Sequence, residues 1–452
     1  MTGSTKQRGA PRKAIFNAGV FQDCLRWAGI TFMAACAAMA AAAGSGEPPV
    51  DDDSAALSLP FTGSAENSGK RTLSLTTEGA VMAASQRTGG TEEGQRLTFD
   101  LRYDNSVAPN LRAVFADLLD LEWSHSFDNG QEINTLKEGY LDWRPGSSLL
   151  LDAGRINVRQ GVALGYNPTD FLRAGALRTV DSLDPNSLRQ NRLGTVMLRE
   201  QTLWDNGSLT TLVAPRLADE PALGSGAGAG PFNPDFAATN NKDRWMLDVS
   251  QRIRGDWTPQ LLIFGADGSS PQLGLNLTYV LGSSVVAYVE TSAGRQASLW
   301  AQAGNSAADT AWRSRVATGF TYSTGYKLSL TLEYEYNGAA LSRAGWAAAR
   351  QDNPADYGRY RALVSTDQDL VTQHGAFVYA SWQDLFVRHL DLSVFVRADL
   401  ADHSWLPWAE LRYHWSRVDV AARWQNYVGG STSDFGASPS GSTWQAVLDY
   451  YL

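Results

Sequence analysis

The amino-acid sequence predicts an all-β chain, folded as a single transmembrane antiparallel up-and-down β-barrel of about 18 strands, with 16 as the alternative count. Three observations carry this. Amphipathic runs of period two recur from about residue 70 to the end of the chain. Short turn signals alternate with wider loops between those runs. Beyond residue 43 no stretch supplies the roughly 20 apolar residues that a membrane helix needs. An aromatic content of 10% and 42 glycines suit strands and tight turns.

The N-terminus reads as an export signal. Lys6, Arg8, Arg12, Lys13 and Arg26 precede an uncharged run from Trp27 to Ala43 that closes in Ala41-Ala42-Ala43, so residues 1–43 are expected to be a cleaved signal peptide. A retained anchor is the weaker reading, because the run is short and rich in small residues. A lipoprotein box at Met33-Ala34-Ala35-Cys36 has too little apolar sequence before it. Both cysteines, Cys24 and Cys36, lie in this leader, so the mature chain is expected to form no disulfide and to offer no thiolate metal site. Loss of five positive charges and Asp23 takes the formal charge from −9 to about −13. That excludes nucleic acid as a natural partner. Residues 44–69 form a short acidic segment, and the barrel is expected over residues 70–452.

Each strand follows from alternation. Leu97, Phe99, Leu101 and Tyr103 alternate with Thr98, Asp100, Arg102 and Asp104. Tyr326, Leu328, Leu330, Leu332, Tyr334 and Tyr336 alternate with Lys327, Ser329, Thr331, Glu333 and Glu335. Leu392, Val394, Val396 and Ala398 alternate with Asp391, Ser393, Arg397 and Asp399, and Phe395 is the exception. One face suits hydrocarbon and the other water, the pattern of a barrel with a wet lumen. Runs at 131–143, 147–157 and 190–203 alternate poorly. Tyr103, Trp143, Trp245, Tyr326, Tyr336, Trp405 and Trp415 sit at run ends, where amphipathic rings favour the lipid headgroups. The last strand places Trp444, Ala446, Leu448, Tyr450 and Leu452 on one face.

The connections set the count. Tight links near 107–109, 145–146, 205–207, 255–256, 282–283, 324–325, 384–387 and 415–417 interleave with wider ones near 83–93, 125–130, 158–189, 216–242, 266–270, 294–311, 337–370, 400–404 and 428–442. Eight tight links between nine wide ones give an even number of strands with both ends on the tight-link side. A closed sheet pairs every backbone group in hydrocarbon. A barrel this wide is not filled by its own side chains, so a loop must narrow it.

The expected constriction is the loop at 158–189, folded inward. It carries apolar residues unsuited to free solvation and two helix-start signals, Asn167-Pro168 and Asp184-Pro185. From Arg155 to Arg199 there are seven arginines and three acids. Arg155, Arg159, Arg173, Arg178, Arg189 and Arg192, with Asp170, are the candidate constriction and ligand residues, since cations in a low-dielectric narrowing enrich anions. The alternative role is to pin the loop to wall acids such as Asp100, Asp142, Asp152 and Glu200, and both roles stay open.

Two resemblances join these residues. The alternating C-terminal strand resembles the closing strand of Gram-negative outer-membrane β-barrels. In that family such a strand is the assembly signal, here Trp444, Leu448, Tyr450 and Leu452, with Leu452 in place of the usual Phe. Gly154-Arg-Ile-Asn157 followed by Gly165-Tyr-Asn-Pro-Thr-Asp170 resembles porin-like proteins related to 18-stranded substrate-specific porins and alginate-export-like barrels. The resemblance implies an outer-membrane location, contact with lipid and lipopolysaccharide, the barrel-assembly machinery as partner, and a passive pore that is a monomer or homotrimer. It names no solute.

Other chemistry is weakly supported. The run Gly224 to Pro231 lacks the Lys-Ser/Thr ending of a phosphate loop. The loop at 337–370 is a candidate lid, but Arg343, Arg350, Arg359 and Arg361 nearly balance Asp352, Asp356, Asp367 and Asp369, so solvated surface is the favoured reading. Ser124 and Ser126 flank His125 and therefore point to the opposite strand face, which argues against a nucleophile and base pair for lipid hydrolysis. His374, His389, His403 and His414 are scattered, and no metal or cofactor is expected. The sequence favours a passive channel for small anionic or polyhydroxylated solutes. Export of an anionic exopolysaccharide is the second reading, and a rim-located lipid enzyme the third.

Overall fold

The computed structural model describes residues 72–124, 130–221, 232–255, 257–304, 309–352 and 354–452. The chain divides into two units, Met1–Pro49 and Val50–Leu452. The signal-peptide and acidic-segment expectations, His125 and the run from Gly224 to Pro231 lie outside the described residues.

Within the second unit, 18 strands make one antiparallel sheet. In chain order they are β1 (Leu73–Gln86), β2 (Thr91–Ala108), β3 (Leu111–Ser124), β4 (Gly130–Trp143), β5 (Leu149–Ile156), β6 (Thr195–Trp204), β7 (Gly207–Ala214), β8 (Arg244–Gln251), β9 (Gln260–Ala266), β10 (Gln272–Leu281), β11 (Val285–Gln296), β12 (Ala311–Ser323), β13 (Leu328–Asn337), β14 (His374–Trp382), β15 (Leu390–Asp399), β16 (Ser404–His414), β17 (Val418–Asn426) and β18 (Ser440–Tyr451). Each pairs with its sequence neighbours. β18 returns to β1 in register from Thr76 opposite Tyr451 to Gln86 opposite Ser440, which closes the sheet and leaves no edge.

All but one of the tight links fall where the sequence placed them, and several use a left-handed residue to reverse the chain, among them Asn110 (φ 62), Asn206 (φ 65) and Gly282 (φ 66). The links expected to be wide at 266–270 and 400–404 match residues 267–271 and 400–403, and the link expected to be tight near 255–256 belongs to a wider connection, 252–259, between β8 and β9. The link expected to be wide at 83–93 is short, residues 87–90 between β1 and β2. There, strand pairing runs on into the residues that polarity alone assigned to a loop.

Side chains alternate as the lumen requires. On β13, Leu328, Leu330, Leu332 and Tyr334 face outward, while Thr331, Glu333 and Glu335 are buried inside. The arc β5–β9 departs from this. Its outer face carries exposed Leu198, Leu261 and Ile263, yet Met197, Leu212, Met246, Leu262 and Phe264 are buried on the inner face against Phe171 and Leu172. The Phe171 and Phe264 rings stack with centroids 4.8 Å apart. Each fully buried side chain of this kind contributes about 1.5–3 kcal/mol relative to a wet lumen. Phe395 also faces inward, between Phe377 and Trp408, with Leu164 and Leu183 packed on that cluster.

Among the described residues five helices lie in the connections: α1 (Pro185–Gln190), α2 (Phe236–Thr239), α3 (Leu299–Gly304), α4 (Arg343–Asp352) and α5 (Pro354–Asp367). The segment expected as solvated surface at 337–370 is instead a packed cap. Trp346, Tyr360 and Val364 from α4 and α5 are buried with Leu299 and Ala303 of α3.

Candidate functional site: the lumen and its inward loop

The connection from β5 to β6, residues 157–194, crosses the lumen and is tied to the wall along its length. Glu290 Oε1 on β11 accepts from the backbone N–H groups of Val162 and Ala163, the latter at 2.6 Å. Glu333 on β13 accepts from Leu164 N through Oε1 and from Gly165 N through Oε2, the latter at 2.8 Å. Thr169 donates to Asn276 at 2.8 Å and Thr179 to Asp120 at 2.7 Å. Asp184-Pro185 begins α1, where the Asp184 carboxylate caps Asn186 N and Ser187 N. Asn167-Pro168 begins no helix; Asn167 O accepts from Asp170 N in a turn and from Arg173.

The candidate arginines fall in different settings. Arg155 is buried, donates to Gly194 O and Pro234 O, and lies over the Phe236 ring. Arg173 meets Asp369 at 2.6 Å and stacks on Tyr166, whose hydroxyl also donates to Asp369. Arg178 bonds Asn134 O and Asn233 O and sits 3.7 Å from Asp235. Arg192 pairs with Asp170 and reaches Gln368 at 3.1 Å. Arg189 donates to Gln160 O and Gly161 O and is half-buried. Arg159 is exposed, and among the described residues it has no hydrogen-bond or ion-pair partner. Desolvation by the surrounding protein lowers the pKa of both Arg159 and Arg189. An arginine nevertheless keeps its charge near neutral pH.

The named wall acids do not hold this loop. Asp100 pairs with Lys137, Asp142 with Arg112 and Arg144, and Asp152 with Arg199; Glu200 makes no ion pair among the described residues. The loop is held by Glu290, Glu333 and Asp120 on the wall and by Asp369 in the cap connection. Glu333 was legible as a lumen residue on the most regular strand. Its partner was not, because backbone N–H groups leave no mark in the sequence. Partly exposed Arg102, Arg112, Arg144 and Arg199 line the wall of β2–β6, each beside an acid.

On β18, Trp444, Leu448 and Tyr450 face outward and are exposed, as is Leu452 beyond the strand; Val447 and Asp449 face in. His414 pairs with Asp419 and Asp391, and His374 meets the Tyr334 hydroxyl at 2.7 Å. Among the described residues no group of three or more His, Cys, Asp or Glu is placed to hold a metal ion.

No protein-family model matches the chain, and no curated protein is significantly similar to it. Solved structures are similar in fold. OpdQ of Pseudomonas aeruginosa superposes with a TM-score of 0.52 at 11% identity, over 84% of this chain and 98% of that one. OccK2 (OpdF) of Pseudomonas aeruginosa, in complex with glucuronate, gives 0.52 at 14% identity over 84% and 96%. OccK11 (OpdR) of the same organism gives 0.50 at 14% identity over 84% and 95%. Closure, strand number and these superpositions agree: the chain has the fold of 18-stranded outer-membrane porins.

Proposed function

We propose that the protein is a passive outer-membrane channel for small anionic solutes, polyhydroxylated acids among them. The observation that carries this is Arg159: an exposed guanidinium with no hydrogen-bond or ion-pair partner among the described residues, on a loop that crosses the lumen. An unpaired cation between low-dielectric walls raises the local concentration of anions and lowers that of cations. Arg102, Arg112, Arg144 and Arg199 continue positive charge along the wall, but each is offset by an acid, so Arg159 sets the sign. The fold shared with OccK2, whose structure holds glucuronate, supports a carboxylate on the solute. Export of a polymer is less favoured, because a moving chain needs a wide path and this loop is bonded to β3, β10, β11 and β13. A rim enzyme is less favoured, because Ser124 and Ser126 flank His125 and alternate to the opposite strand face. Outer-membrane lipid, lipopolysaccharide and the barrel-assembly machinery are the partners this reading needs.

Single-channel conductance and reversal potential of the refolded chain in a planar bilayer, beside Arg159→Ser, test the reading. The expected result is a steady anion-selective channel whose preference falls in the variant. A sealed barrel, or a channel with no ion preference to lose, would overturn it.

A further inference from the structure

Residues 160–165 of the inward loop are held to the wall in an unusual way. Four consecutive N–H groups, those of Val162 to Gly165, are taken by only two carboxylates, Glu290 and Glu333. Three carbonyls of the same segment are taken by cations, and that of Ala163 accepts from the Asn167 amide. Arg189 of α1 holds Gln160 O and Gly161 O, and Arg397 of β15 holds Gly165 O at 2.7 Å. Side-chain volume is excluded as well. A Cβ at Gly161 would collide with the Glu290 carboxylate, and one at Gly165 with Glu335 and with Phe377 at 2.7 Å. Arg159 is the residue immediately before this clamp, suspended between it and the end of β5 at Ile156.

We infer that Glu290 and Glu333 are positioning residues for the channel. They never meet the solute; they aim Arg159 by fixing the backbone that follows it. This rests on the channel reading above. The two carboxylates differ in a way that makes the inference testable. Glu290 uses one oxygen, Oε1, for both of its N–H partners, and its Oε2 has no hydrogen bond. An amide can keep that arrangement with its own oxygen. Glu333 uses both: Oε1 takes Leu164 N and the Tyr288 hydroxyl, and Oε2 takes Gly165 N. An amide must turn an NH2 toward one of those donors, and a buried donor without an acceptor is costly.

Removing a negative charge behind the loop should, by electrostatics alone, strengthen anion preference in either variant. Positioning predicts opposite behaviour in the two. Wild type, Glu290→Gln and Glu333→Gln are refolded, checked for a closed barrel by heat-modifiable gel mobility, and compared in planar bilayers. Glu290→Gln should keep steady conductance with anion preference equal or slightly raised. Glu333→Gln should flicker between levels and lose anion preference severalfold, and adding Arg159→Ser should cost little more, since both act through one group. If Glu333→Gln does not close, Gly165→Ala pushes the same segment off the wall with the carboxylate intact and should give the same flicker. Steady conductance in Glu333→Gln or in its Gly165→Ala substitute, with preference unchanged or raised, overturns the inference while the channel stands. A wild type without conductance overturns the channel itself.

Discussion

A guanidinium whose donors are taken by buried acceptors cannot bind a passing solute without giving up bonds, so neighbouring arginines on one loop separate by task. Arg173 and Asp369 are both nearly enclosed. Arg173→Ser would leave Asp369 buried with only the Tyr166 hydroxyl and Arg315 as partners among the described residues, and removing one partner of a buried pair costs about 3–5 kcal/mol. The expected outcome is a lower midpoint in denaturant with ion selectivity retained wherever the barrel forms. Arg159→Ser should do the reverse, with an unchanged midpoint and reduced anion preference. Measuring both properties on both variants separates the tasks. The cluster of arginines was legible in the sequence, but the division was not. It depends on acceptors far along the chain, Asp369 lying 196 residues from Arg173 and Pro234 O 79 residues from Arg155, and local spacing carries no trace of that.

Elements whose two faces meet different surroundings were legible, and elements with two similar faces were not. β13 announces itself because one face meets lipid and the other a polar lumen. Of the runs that alternate poorly, β4 carries an irregularity at Lys137, whereas β5 and β6 alternate poorly because the loop supplies Phe171 and Leu172 as an apolar lining against their inner faces. Phe395 breaks its strand's pattern for the same reason. The helices α4 and α5 were hidden because balanced charges masked the few apolar residues that pack. Capping was legible at Asp184, and Asp184→Ala should cost about 1 kcal/mol by stranding Asn186 N and Ser187 N. A denaturant midpoint unchanged from wild type would contradict it.

The connection between β17 and β18 carries a pH-dependent contact. Burial, reinforced by Asp399 and Asp402, pushes the Asp434 carboxyl up to about 7, although Arg361 opposes this. An acid whose folded pKa is raised binds its proton more tightly in the folded state. Its stabilising effect is complete below the ordinary carboxylate range, near pH 4, and is lost as pH rises through about 7. Hydrogen exchange over residues 427–439 should therefore quicken between about pH 4 and pH 7 and level off above, after correction for the intrinsic rate. Asp434→Asn, which stays neutral, should flatten that rise. A variant that keeps the full pH dependence would show that another group is responsible.

At the scale of the whole molecule, closure of β18 on β1 and the even strand number were legible because turn signals and alternation constrain each other around a ring. The bore was not, since it is set by how the loop is anchored. Charge poses the remaining question, because the chain carries a formal −9 and is proposed to prefer anions. Range decides between the two. Many lumen charges are paired at hydrogen-bond distance and cancel beyond a few ångströms, whereas Arg159 has no ion-pair partner among the described residues and, on the proposed reading, sets the field of the lumen. At 0.1 M salt the Debye length is about 10 Å, and at 1 M about 3 Å. A field from one loop residue reaches across a narrowed lumen at the first ionic strength and not at the second. Anion preference, read from reversal potentials at a fixed concentration ratio, should be clear near 0.1 M and largely gone near 1 M. Arg159→Ser at 0.1 M should resemble wild type at 1 M. Preference that persists undiminished at high salt would mean that selection comes from direct contact with the ion at a fitted site, not from the field of a single guanidinium.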